Sequence, residues 1–302
     1  KNPKSAMIRT SETICLAGDP GNKYFNEEIK SEFDFFSFFI LDNPDWEKKI
    51  SEFHPNPFIR PYTRKYLTSR SLTYTDYMSK LPEGYELIKI VPEELEKMPH
   101  KNANIVLKWV KNYGIYDNFK RNGGGYMIIK DNDIASWSVT DCWYKDKVAI
   151  GIVTDSCHRK RGLAAIASAA NAEDLFKRGI FELDWLCIDI NRGSESTSRK
   201  IGFSLRSTYT TYTAIAPYEN ETDPTRDGWL DWADFYEKAC ETESRYFFHC
   251  SECYAKAYDV EGVIRVLSKA REQKIDIENQ FVNPIFDRFS DKGRWRDFVN
   301  EK

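Results

Sequence analysis

The residues with the clearest chemical meaning are His158-Arg159-Lys160-Arg161-Gly162-Leu163-Ala164. They fall between an apolar run, Val148-Ala149-Ile150-Gly151-Ile152-Val153-Thr154, and a stretch with small residues at Ala164, Ala165, Ala167, Ala169 and Ala170. A loop that opens a helix presents backbone N–H groups without intrahelical partners, at the positive end of the helix dipole. Gly162 has no Cβ to hold a ligand off, and three consecutive cations add charge where a diphosphate would rest. The segment has the makings of a phosphate cradle, although it is neither a P-loop nor a Rossmann glycine fingerprint. Basic residues ahead of a helix are more often a solvated corner. The flanking strand and helix are what lift Arg-x-x-Gly-x-Ala above that reading.

The elements that must hold this loop can be read along residues 81–216. The nearly all-apolar run at 147–154 predicts a central strand covered on both faces. The alanine-rich stretch predicts a helix over 162–178, closed by Gly179. Upstream, alternation predicts a strand over 85–90. Pro92-Glu93-Glu94-Leu95 opens a short helix with its acids in the first turn, and 105–119 is a second helical stretch. Residues 126–129 and 134–142, joined by Lys130-Asp131-Asn132-Asp133, form a hairpin. Downstream come a strand over 181–190, a short helix over 194–200 and a strand over 203–215 rich in Thr and Tyr. The order β-α-α-β-β-β-α-β-α-β implies an α+β fold, a mixed central sheet with helices on both faces.

Two further segments flank this core. Residues 1–80 are aromatic, with Phe33, Phe35, Phe36, Phe38 and Phe39 in seven positions. Pro55, Pro57 and Pro61 then break the chain into turns before a strand-like stretch over 64–72. This predicts an N-terminal α/β appendage without a chemical motif. Residues 217–302 are helical. Trp229, Trp232, Ala233, Tyr236 and Ala239 space as one amphipathic face, and Val263, Ile264, Val266, Leu267 and Ala270 as another. The turn at Tyr258-Asp259-Val260 resembles the hairpins of tetratricopeptide-like arrays, without a clean 34-residue repeat. A boundary is expected at the polar Pro217–Pro224 stretch.

Composition narrows the function classes. The chain has 302 residues, 41% hydrophobic and 30% charged, which allows two or three domains with real cores. Net charge is −3, with residues 217–302 at −6 and the rest at +3. This balance argues against a general nucleic-acid partner. No apolar run approaches the roughly 18 residues of a membrane span, and Lys1-Asn2-Pro3-Lys4 leads into no secretory signal. Seven scattered cysteines form no disulfide framework, which fits a reducing, cytoplasmic compartment. Cys250-Ser251-Glu252-Cys253 beside His249 lacks a second ligand pair and sits in a helical stretch, so no metal is expected.

With these elements in place, the chain resembles the GNAT superfamily of acyl-CoA N-acyltransferases. Within it, the chain is most similar to the acetyltransferase family that includes the zwittermicin A resistance protein. The shared features are Ile150-Gly151-Ile152-Val153-Thr154, the Arg159-x-x-Gly162-Leu163-Ala164 loop, and Asp184-Trp185-Leu186-Cys187. Asn191 and Ser194 ahead of Gly202-Phe203, and the closing Tyr209-Thr210-Thr211-Tyr212, fit as well. Residues 1–80 resemble that family's degenerate N-terminal half loosely, through Pro3, Ala6 and Leu16-Ala17-Gly18-Asp19, and the helical tail lies outside the resemblance.

The resemblance implies roles position by position. The backbone N–H groups of Arg159, Lys160, Arg161, Gly162, Leu163 and Ala164 would grip the pyrophosphate of coenzyme A. Ile152, Val153 and Thr154 would pair with the pantetheine arm as an added strand, and one of their N–H groups would polarise the thioester carbonyl. Asn191 would contact the arm or order the cleft, its simpler role being a helix N-cap, with Ser194 a small polar neighbour. His158 would flank the phosphates.

The sequence departs from the family in its acid–base groups. No Glu stands early in the strand over 147–154, and Ser198 occupies the position where many members carry a Tyr. The candidates for the missing base are Asp189, at a strand end, and Asp141, on the neighbouring hairpin strand. Cys142 and Cys157 have no paired histidine to support covalent transfer. Direct transfer of an acetyl group from acetyl-CoA to a small-molecule amine is the function implied. The alternative is a catalytically reduced acyl-CoA-binding protein whose helical tail docks a protein partner.

Overall fold

A computed structural model describes residues 3–10, 13–33, 37–53, 59–213, 225–240, 244 and 246–300. Phe35 and Phe36 of the aromatic run, Pro55, Pro57 and the Pro217–Pro224 stretch lie outside the described residues. The chain divides into two compact units, Lys1–Ile215 and Ala216–Lys302.

The first unit is built on one ten-stranded sheet. Its strands are β1 (Ser5–Arg9), β2 (Thr13–Gly18), β3 (Phe38–Leu41), β4 (Arg60–Ser69), β5 (Glu86–Lys89), β6 (Gly125–Lys130), β7 (Asp133–Tyr144), β8 (Lys147–Thr154), β9 (Glu182–Ile188) and β10 (Ser204–Thr213). Their spatial order is β1-β2-β3-β10-β4-β9-β8-β7-β6-β5. Helices α1 (Lys23–Ile29) and α2 (Asp45–Phe53) belong to the N-terminal part. Next come α3 (Pro92–Leu95), α4 (Ala103–Lys111), α5 (Tyr116–Asn122), α6 (Leu163–Lys177) and α7 (Arg192–Ile201). The 105–119 stretch is two helices and not one. The chain breaks at Gly114, whose φ of +79° an α-helix cannot contain.

β4 lies inside the sheet, hydrogen-bonded to β9 on one side and β10 on the other, both antiparallel. Residues 60–69 therefore share a sheet with residues 86–213. Alternating side chains feed two cores on opposite faces. Val148, Ile150, Leu183, Trp185 and Cys187 pack with the alanines of α6. Val139, Trp137 and Met127 pack with Val106 and Val110 of α4 and Phe119 of α5. A third cluster holds β2 and β3 through Ile14, Leu16 and Phe39 with Trp46 and Ile50 of α2. Each such buried side chain is worth about 1.5–3 kcal/mol, so the sheet is a firm base for a site.

The second unit is helical: α8 (Arg226–Ala239), α9 (Tyr246–Lys256), α10 (Val260–Glu272), α11 (Glu278–Phe281) and α12 (Gly293–Asn300). Thr225 caps α8 and Asp259 caps α10, each accepting an N–H bond three residues on. Glu237 of α8 accepts from Arg265 (3.0 Å) and Lys269 (2.6 Å) of α10 and from the Tyr254 hydroxyl of α9 (2.8 Å). Cys250 and Cys253 are buried among these helices, and the Cys250 thiol donates to the Ala233 carbonyl at 3.2 Å. Burial pushes the Cys253 thiol up to about 12. Among the described residues no helix is long and apolar enough to cross a membrane.

Candidate functional site

The site is set by where two parallel strands part. β8 and β9 pair at Lys147↔Glu182, Val148↔Leu183 and Ala149↔Asp184, and the ladder stops there. β8 nevertheless continues along β7 to Thr154, and β9 continues along β4 to Ile188. A wedge therefore opens between Ile150–Thr154 on one side and Trp185–Ile188 on the other, with its apex at Ala149 and Asp184. The edge of β8 that faces the wedge keeps main-chain groups that an extended ligand arm can pair with, as an added strand does. Thr154 and Val153 spend their side chains elsewhere. The Thr154 hydroxyl meets Ser136 Oγ at 2.8 Å, while Val153 packs on the α4 side and Ile152 on the α6 side. What these residues offer the wedge is backbone.

The His158–Ala164 loop stands at the open end. Gly162 is the N-cap of α6 with φ +77°, and a Cβ there would meet nothing within 4 Å. No side chain caps α6 among the described residues, so its first N–H groups point outward without intrahelical partners. Arg159, Lys160 and Arg161 are exposed around them. Leu163 is 1% exposed and buried in the α6 core, so it can contribute only its N–H, and Ala164 is half-buried.

The loop is tethered at two points. Asp155 accepts from Asn102 Nδ2 (2.9 Å), from the Cys157 N–H (3.1 Å) and pairs with Lys101 (3.2 Å). Burial alone would raise its pKa, but these partners outweigh it and hold the carboxyl below its usual range. The His158 ring is engaged on both nitrogens: Nδ1 with the Tyr85 hydroxyl at 2.9 Å, Nε2 with Asp133 Oδ2 at 3.2 Å.

The two candidate bases occupy different places. β7 is irregular between Thr140 and Cys142, and this bulge carries Asp141. The Asp141 carboxylate lies over Gly151 of β8: a Cβ on Gly151 would fall 2.6 Å from Asp141 Oδ2 and 2.6 Å from Trp109 Cζ3. Gly151 is thus the residue that lets a carboxylate and an indole approach the wedge. Asp189 follows β9, its N–H donating to the Thr63 carbonyl at 2.8 Å. Its Oδ1 is buried and accepts no hydrogen bond among the described residues. Asp189 lies in the turn between β9 and α7, whereas Asp141 is on β7 beyond β8, so the two aspartates come from opposite sides of the wedge.

Asn191 caps α7, its Oδ1 accepting the Ser194 N–H at 3.0 Å, and Ser194 Oγ accepts from Trp185 Nε1 at 2.9 Å. Ser198 is buried, and its hydroxyl donates to the Glu195 carbonyl. Cys142 is exposed and Cys157 half-buried.

Sequence reasoning did not single out Tyr66, Trp109 or the side chain of Asp184. The signal for Asp184 was present, a carboxylate between two core residues, Leu183 and Trp185. Tyr66 carried none, because nothing local ties residue 66 to residue 184.

The sequence pattern of the family described as GNAT acetyltransferase matches residues 1–212. The chain belongs to the GNAT acetyltransferase family. Its GNAT fold, a mixed sheet with flanking helices, has a solved counterpart in a GCN5-related N-acetyltransferase-like protein from Streptococcus suis 89/1591. The two share 22% identity with a TM-score of 0.56, over 71% of this chain and 85% of that one. A GCN5-related N-acetyltransferase from Kribbella flavida matches at 17% identity and a TM-score of 0.44, over 72% of this chain and 88% of that one. No match is found among curated proteins.

Proposed function

We propose that this GNAT protein transfers an acetyl group from acetyl-CoA directly to the nitrogen of a small amine in the cytoplasm. The observation that carries the reading is the wedge: β8 and β9 part after Ala149↔Asp184 and open toward the uncapped N-terminus of α6. The N–H groups at Gly162, Leu163 and Ala164, ringed by Arg159, Lys160 and Arg161, suit a pyrophosphate. The β8 edge at Ile152, Val153 and Thr154 suits the pantetheine arm, and an N–H there would polarise the thioester carbonyl. Acetyl-CoA supplies the activated acyl group. The chain then has to hold a neutral amine against that carbonyl, and proximity supplies much of the rate. Asp141 beside Gly151 can orient the incoming ammonium or take its proton. The resemblance to the family of the zwittermicin A resistance protein inclines the acceptor toward a small amino compound.

A second reading has a specific observation behind it. Ser198 stands where many family members carry a tyrosine acid, and its hydroxyl is turned into α7. This favours an acyl-CoA-binding protein of reduced activity, with the helical unit docking a partner. Two measurements test both readings. Stabilisation by coenzyme A in a thermal melt, followed by thiol release from acetyl-CoA over a panel of primary amines, supports transfer. Stabilisation without thiol release supports the binding protein, and no stabilisation at millimolar coenzyme A overturns both.

A further inference from the structure

Asp184 occupies a singular position, the last paired residue of β9 before the wedge opens. It pairs with Ala149, and both lie on the face of the sheet opposite the one where Val148, Ile150 and Leu183 pack on α6. Gly151, two residues along β8, shares that face with the Asp141 carboxylate and the Trp109 ring lying over it. On β8 the neighbours of the half-buried Asp184 toward the wedge are the small residues Ala149 and Gly151, with Lys147 on the other side. An arm laid along β8 from the phosphate loop ends at this apex, where the strands close.

The carboxylate is also held. Tyr66 of β4 donates its hydroxyl to Asp184 Oδ1 at 2.8 Å. That phenol comes from the N-terminal segment, across β9, and reaches the apex only because β4 is inserted in the sheet. The charged and titratable groups facing Asp184 are Tyr66 from β4, Lys147 from β8, Glu182 on its own strand and Arg206 from β10. Glu182 is itself gripped by Lys147, Arg70 (2.9 Å) and Arg206 (3.1 Å), so much of the nearby positive charge is already matched.

We infer that Asp184 is the proton-carrying group of the transfer reaction, and that Tyr66 is the residue that positions it. The inference rests on the acetyl-transfer reading above. The incoming ammonium loses one proton to solvent, and its nitrogen then attacks the thioester carbon. As the C–N bond forms, the nitrogen gives its second proton to Asp184. The C–S bond breaks with its electron pair on sulfur, and Asp184 passes that proton to the thiolate. One proton thus moves from nitrogen to sulfur and the carboxylate is regenerated. Burial raises the Asp184 carboxyl above its ordinary range while the Tyr66 bond lowers it, a balance suited to a group that must both take and give a proton. This also supplies the acid that Ser198 does not.

The test uses the full chain with acetyl-CoA and a panel of amines (ethanolamine, benzylamine, spermidine), following thiol release against pH. Asp184→Asn keeps the shape and an acceptor for Tyr66. It is expected to lower kcat at least 100-fold with the KM for acetyl-CoA unchanged. Tyr66→Phe removes the bond that lowers the Asp184 carboxyl, so the acid limb of the kcat profile should move to higher pH while the alkaline plateau is kept. A purely structural hydrogen bond would lower stability without moving that limb. An Asp184→Asn enzyme within threefold of wild-type kcat, or a Tyr66→Phe profile that superimposes on wild type, overturns the inference while leaving acetyl transfer intact. A wild-type chain that binds coenzyme A yet releases no thiol with any amine overturns both.

Discussion

The Tyr85 hydroxyl and His158 Nδ1 meet at 2.9 Å, joining the start of β5 to the turn that follows β8. With Asp133 on the other ring nitrogen, His158 is a rivet between the loop that opens α6 and the β5–β7 end of the sheet. Tyr85→Phe and Asp133→Asn should each cost about 1 kcal/mol of stability, the worth of one such bond. Both should also weaken coenzyme A binding several-fold by loosening the loop. Calorimetric titration with coenzyme A checks this. Affinities equal to wild type would mean the rivet holds the fold but not the loop geometry.

Gly162→Glu should abolish stabilisation by coenzyme A. The φ of +77° makes any side chain cost about 1 kcal/mol here, but the open space beyond means no clash with the fold. The carboxylate would stand in the proposed pyrophosphate site. A folded Gly162→Glu chain that still melts higher with coenzyme A would remove this loop from the binding site.

Gly151→Ala separates the two ends of the site. Its methyl would press on Asp141 and Trp109 at 2.6 Å, a crowding that costs about 1–3 kcal/mol. Coenzyme A binding should fall no more than about threefold, because the added methyl points at Asp141 and Trp109 while the arm pairs with main chain, whereas the KM for the amine should rise at least tenfold. The two titrations, compared side by side, give the answer.

Much of this architecture was legible because it is local. The apolar run at 148–153, the alanines of 164–170 and the stop at Gly179 each declare β8 and α6 without reference to the rest of the chain. Boundaries were off by a residue or two where strand ends fray, as at both ends of β9. The bulge at Asp141 was hidden, since a hairpin pattern over 134–142 reads the same with or without one extra residue. The partners of β4 were hidden for a deeper reason. Its strand character shows at 64–72, but pairing with Ile188 and Tyr209 is a property of the closed sheet, and no neighbour in sequence encodes it. Asp184–Tyr66 inherits that invisibility.

Acid should loosen the helical unit through Glu237. Burial pushes its carboxyl up, but the bonds from Arg265, Lys269 and Tyr254 outweigh burial and hold it at about 2. A depressed folded-state pKa gives stability that is complete above the unfolded value near 4.3 and is lost as pH falls toward 2. About 3 kcal/mol should disappear across that window. Urea melts of the full chain at pH 5, 4 and 3 should show it, and Glu237→Gln should flatten the slope. An identical slope in the variant would place the acid sensitivity elsewhere.

Removing residues 216–302 should leave coenzyme A binding in place, because every element of the wedge and its loop lies before residue 213. The shortened chain and the full chain can be titrated under the same conditions. A soluble but cofactor-blind product would make the helical unit part of the binding site.

The insertion of β4 between β9 and β10 has a consequence for how the chain is made. The strand leaves the ribosome more than a hundred residues before either neighbour, so at about 5–20 residues per second it waits on the order of 10 s with both edges bare. During that interval a strand rich in Thr and Tyr is open to pairing with another chain's strand, with Arg60, Pro61, Arg64 and Lys65 to blunt its edges. Translation speed over residues 70–182 therefore sets how long β4 waits for its strand partners, while the same stretch supplies most of the core into which Leu67 of β4 finally packs.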